Sequence, residues 1–111
     1  MPSRIGKITK ANDFSYIYRK GQRIVGPLFV VRYARIMRPD TKFAVVASVK
    51  QVGKATQRNR ARRRIWQAIQ RQRRVFPPTG YMIAFILKRS VVMAPWNDLL
   101  IAVNEVAKRL R

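Results

Sequence analysis

Between Arg58 and Arg74 the chain carries eight arginines, no acid and no proline (RNRARRRIWQAIQRQRR). With no proline to break it, the stretch can run as one helix. On a helical wheel Ala61, Ile65, Ala68, Ile69 and Gln72 share one side, at spacing i, i+4, i+7, i+8 and i+11. The arginines at 60, 62, 63, 64, 71, 73 and 74 take nearly all of the remaining circumference. One stripe must therefore pack on a sheet while the rest faces solvent or a ligand. Trp66 lies at the boundary, beside Arg62 and Arg73. Pro77-Pro78-Thr79-Gly80 ends the helix.

The flanking segments supply that sheet. Leu28 to Met37 (LFVVRYARIM) alternates β-branched and aromatic residues and reads as a strand. Arg38-Pro39-Asp40-Thr41 has the signature of a type I turn, and Lys42 to Lys50 reads as a second strand, so the two are expected to form an antiparallel hairpin. Arg32 and Tyr33 must point to opposite faces. Tyr81 to Lys88 (YMIAFILK) is nearly all apolar, as for a strand covered on both faces, and should run parallel to the strand ending at Lys50. Ahead of the sheet, Asn12 to Lys20 reads as a short helix with Asn12 as N-cap, an apolar stripe of Phe14, Ile17 and Tyr18, and Gly21 as its stop. Behind it, Pro95 opens a last helix whose Trp96, Leu99, Leu100, Val103, Val106, Ala107 and Leu110 form a packing face. The order α-β-β-α-β-α predicts an α+β fold, an α/β sandwich, in one domain over residues 1–111, with residues 1–11 as an extended basic arm.

A helix so cationic repels itself unless a polyanion neutralises it. The whole chain sets 25 Lys+Arg against 4 Asp+Glu, a net charge of +21, which points to RNA or DNA first. At 48% hydrophobic residues it is too apolar for a disordered tail. No apolar run approaches the roughly 20 residues of a spanning helix, and MPSRIGKITK has no apolar signal segment, so a cytoplasmic location without membrane contact is expected. Cysteine and histidine are both absent. The acids Asp13, Asp40, Asp98 and Glu105 are well separated and read as dipole, turn and surface residues. The chain therefore lacks the side chains of a catalytic or metal-binding set, and no small-molecule cofactor is expected.

Two features remain as candidates for function. The arginine helix, preceded by Lys50, Gly53 and Lys54, can grip phosphates, because each planar guanidinium offers a fork of two donors. Phe14 and Tyr18, one helical turn apart, either form a stacking platform for unpaired nucleotides, each base contributing ~1–3 kcal/mol, or seat the first helix on the core. The residues alone favour the core.

Gly53-x-Ala55-x-x-Arg58-Asn59-Arg60, followed by Arg62-Arg63, resembles the signature of the bacterial ribonuclease P protein component. Asp13-Phe14-x-x-x-Tyr18-x-Lys20-Gly21 resembles that family's first helix and Phe29-Val30-Val31 its first strand, so the likeness covers nearly the whole chain. It implies a sandwich whose β-α-β crossover is left-handed, against the usual rule. It also implies a protein subunit that assists 5′-end maturation of precursor tRNA, an endonucleolytic cleavage whose chemistry belongs to ribonuclease P RNA and its Mg²⁺. Lys54, Arg58, Asn59, Arg60, Arg62 and Arg63 fall on the part that docks on the catalytic RNA. The cleft for the single-stranded 5′ leader is assigned Phe14, Tyr18, Arg32, Lys50 and Trp66, with Phe14 and Tyr18 both packing and stacking. Three positions depart from the family pattern: Trp66 replaces a frequent basic residue and offers a stacking surface, Gln51 replaces another, and Arg32 stands where some members have a cleft tyrosine. The alternative is a structural RNA-binding protein of ribosomal or RNA-chaperone type, with no part in cleavage.

Overall fold

The computed structural model describes residues 6–110; Met1–Ile5, half of the expected arm, and Arg111 lie outside them. The elements are β1 (Gly6–Lys7), α1 (Ala11–Lys20), β2 (Gln22–Val25), β3 (Phe29–Arg35), β4 (Thr41–Val46), α2 (Ala55–Arg71), β5 (Tyr81–Leu87) and α3 (Trp96–Leu110). A short 3₁₀ turn, Arg89–Val91, joins β5 to α3. The five strands form one sheet in the order β1-β4-β5-β3-β2.

The apolar run at 81–87 takes the centre, parallel to β4 and antiparallel to β3. Its alternate residues explain why both faces are apolar. Ile83, Phe85 and Leu87 join Phe29, Val31 and Phe43 against the buried stripe of α2 (Ala61, Ile65, Ala68, Ile69) and the packing face of α3. Met82 and Ala84 turn the other way, with Ala44, towards Ile17 of α1 and Ile8. Helices thus cover both faces of the sheet. The short alanine side chains on the second face let α1 settle close to the strands.

The expected hairpin of β3 and β4 does not form, because β5 lies between them. Tyr81 is registered opposite both Arg35 and Thr41, at the two ends of the connecting turn. Gly80 sits in the gap with φ +84°, its N–H donating to the Asp40 carbonyl (3.0 Å) and its own carbonyl accepting from Ile36 N–H (2.9 Å). A strand apolar on both faces is better buried at the centre than at an edge, so it displaces the local pairing. The hairpin is instead β2–β3, a strand pair not foreseen. Its turn contains Gly26-Pro27, closed by Gly26 N–H to the Phe29 carbonyl at 3.0 Å.

Smaller corrections have local causes. The described part of the basic arm is not free: Gly6–Lys7 adds a parallel strand to the edge of β4, and Ile8 is buried behind it. Lys10 rather than Asn12 is the N-cap of α1. Gly21 ends α1 in an extended conformation, so its value is space rather than a left-handed turn: an added Cβ would collide with the carbonyl oxygens of Ile17 and Tyr33. Helix α2 stops at Arg71, ahead of the prolines, because Phe76 must reach the core, where it packs edge-on against Phe43 at 5.0 Å. Arg73 and Arg74 therefore follow the helix rather than belong to it.

Candidate nucleic-acid interface

The loop leading into α2 is set by Gly53, whose φ of +123° suits glycine and disfavours other residues. Lys54 N–H donates to the Gln57 side chain (3.2 Å), one half of a capping box. Arg58 reaches back to donate to the Gly53 carbonyl (2.9 Å), which fixes the loop and leaves Arg58 half-buried. Asn59 accepts from Arg62 at 2.6 Å, pre-setting that guanidinium one turn away. Arg63 is exposed on the outer ridge of the helix.

The remaining arginines of this half do not all face outwards. Arg64 donates to three backbone carbonyls beyond β5: Val91 (2.7 Å), Val92 (3.1 Å) and Ala94 (2.6 Å). Burial, and then the neighbouring Arg60 charge, hold its guanidinium below the ordinary value. Arg64 is thus a clamp between α2 and the turn before α3, which corrects its placement on the solvent side of the wheel. Arg60 shares the anchor, its Nε donating to the Val92 carbonyl at 2.9 Å while the side chain stays exposed.

The opposite face of the sheet carries the second set. The Arg32 guanidinium carbon stands 5.1 Å from the Tyr18 ring centroid, and its Nη1 donates to the Tyr18 carbonyl at 3.3 Å. Tyr18 is 47% exposed, whereas Phe14, one turn earlier, packs on Ile17 and the alanines beneath α1. One row further on the same face, Val30, Ile86 and Val46 lie side by side and only half-buried. Tyr33 points away, its hydroxyl donating to Gln22 at 2.9 Å, so Arg32 is the residue on the α1 face. Lys50 is exposed in the β4–α2 connection. Trp66 does not meet this group: it packs half-buried on the α2 side of the sheet, with Lys7 Nζ 5.2 Å from its ring centroid.

Residues 3–111 match the sequence model of the family described as Ribonuclease P. The chain belongs to the ribonuclease P protein family. It is 29% identical to the ribonuclease P protein component of Coxiella burnetii over 104 residues, 94% of this chain and 84% of that protein. A component from a Nitratiruptor species is 47% identical over 51 residues, 46% of this chain and 44% of that one. Among solved structures, the ribonuclease P protein of Thermotoga maritima aligns with a TM-score of 0.82 over 95% of this chain and 97% of its own, at 22% identity. That of Staphylococcus aureus aligns with 0.78 over 97% and 100%, at 21%. At such identities the structures establish a shared fold.

Among the described residues no group of three or more acids could hold a metal ion. Asp13 stands in the first turn of α1 as expected, and it is also buried in a two-pronged pair with Arg38 (3.2 and 3.4 Å). The sequence hint was a lone acid on an apolar helix face in a chain this basic. No helix among the described residues is long and apolar enough to cross a membrane.

Proposed function

We propose that this chain is the protein subunit of a ribonucleoprotein ribonuclease P and holds two RNAs at once. Lys54, Arg58, Asn59, Arg60, Arg62 and Arg63, around the first turns of α2, dock on the catalytic RNA. Phe14, Tyr18 and Arg32, on the α1 face, hold the 5′ leader of precursor tRNA, with Lys50 at the side. Each phosphate that an arginine neutralises releases condensed counterions, which supplies affinity without sequence preference. An unpaired leader base can stack on the open face of Tyr18 or slide over the half-buried valines and isoleucine beside it. Hydrolysis is assigned to the RNA with its Mg²⁺, since the acids here are scattered or already paired. The protein's own part is to bind, to orient and to relieve repulsion between the two RNAs.

One observation carries this reading: the two sets lie on opposite faces of one sheet, so substrate and catalytic RNA need not compete. Reconstitution with the cognate RNA at low Mg²⁺ tests it. Precursor tRNA cleavage should rise when the protein is added, and no gain would overturn the proposal. A structural RNA-binding protein would bind the holoenzyme RNA equally well but would give no preference for precursor over mature tRNA.

A further inference from the structure

A third surface belongs to neither set. Where α2 ends beside the first turn of α3, Gln67, Gln70, Arg71, Arg73 and Trp96 line an open groove of about 420 Å³. That volume falls within the roughly 300–1,000 Å³ typical of small-ligand sites. The two glutamines and two arginines are exposed, and Trp96 is half-buried, with part of the indole packed on the core. No acid lines the groove. Arg73 is steadied by donating to the Gln70 carbonyl at 3.0 Å. Two other grooves lack this mixture. One, between the β2–β3 turn and α3, is mainly apolar with Glu105 at its edge. The other, beside α1, contains Asp13 already paired with Arg38.

We propose that the α2–α3 groove receives one unpaired RNA nucleotide. The base stacks on the indole of Trp96, the most extended π-surface a protein has to offer. Glutamine amides carry a donor and an acceptor on one rigid plane, which suits the edge of a splayed-out base. Arg71 and Arg73 then neutralise the phosphates on either side of it. Arg60, Gln67 and Arg71 share one side of α2, at spacing i, i+7 and i+11, so the groove adjoins the part of the helix the catalytic RNA is proposed to cover. This inference rests on that reading, and adds base recognition to a surface that otherwise recognises charge.

The test uses the full chain with Trp66→Phe, which leaves Trp96 as its only tryptophan. Short RNA homopolymers of A, C and U are titrated while Trp96 emission and calorimetric heat are followed together. Emission should quench to saturation with a ranking among the three. Arg71→Ala with Arg73→Ala should raise the midpoint, and Gln67→Ala with Gln70→Ala should change the ranking but not the salt slope. Trp96→Leu, which keeps an apolar side chain for packing, should lose roughly 5- to 150-fold in affinity. Heat without any change in Trp96 emission would overturn the groove and leave the RNA-binding reading standing. Quenching untouched by the arginine pair, or a ranking untouched by the glutamine pair, also overturns it. Absence of both signals overturns the groove, while the gain in reconstituted precursor cleavage decides the docking reading separately.

Discussion

Arg63 and Arg64 are neighbours in sequence with opposite commitments, one exposed and one bound to three carbonyls. Removing each should therefore show up in different measurements. Arg63→Ala should leave the urea midpoint unchanged and make the dependence of log K on log salt shallower by about one unit for the lost phosphate contact. Arg64→Ala should leave that slope alone and destabilise the fold by ~1–3 kcal/mol, seen as a lower urea midpoint at constant m. Phe14 poses the other residue-level question, because it packs and is proposed to bind. Phe14→Ala should weaken precursor tRNA binding by the holoenzyme while leaving assembly with the catalytic RNA largely intact. A protein that no longer folds would show that the ring serves only the core.

Among the elements, β5 decides the topology, and it was also the most legible. Its seven residues form an unbroken apolar run, which predicted a strand covered on both faces or near the sheet centre, and the strand-helix-strand order around it predicted a parallel neighbour. The buried stripe of α2 and the packing face of α3 were equally readable, since helical spacing exposes which side must be hidden. The parallel pairing of β4 with β5 was readable, but the partners of β3 were not. They depend on which strand best fills the middle of the sheet, a comparison across the whole chain, whereas turn chemistry at Pro39-Asp40 reports only on four residues. The site divided in the same way. The Arg58–Arg63 motif is local and could be placed on its helix in advance. Tertiary contacts alone could show that Trp66 and Tyr18 stand on opposite faces, or that Arg64 is a clamp. Gly80 offers a test of the insertion of β5. Gly80→Ala places a Cβ at a φ of +84°, which costs about 1–2 kcal/mol, and the loss should appear in the urea midpoint.

For the whole molecule, charge is the dominant fact. The net charge is +21, and among the described residues a single ion pair, Asp13–Arg38, forms within the fold. Self-repulsion on this scale destabilises a compact state, so polyanions and multivalent anions should stabilise the isolated protein. Its Tm should rise in sulfate more than in chloride at equal ionic strength, and an RNA present at 100 times its Kd should add about 2.7 kcal/mol. An unchanged Tm in sulfate would show that the repulsion is already relieved within the fold. The sheet order has a further consequence, for biosynthesis. Strands β3 and β4 share no hydrogen bonds with each other, and each pairs along its inner edge with β5. A nascent chain ending short of Tyr81 therefore cannot close its sheet, although all of its arginine helix has already been made. The helix can meet RNA before the core that will support it exists.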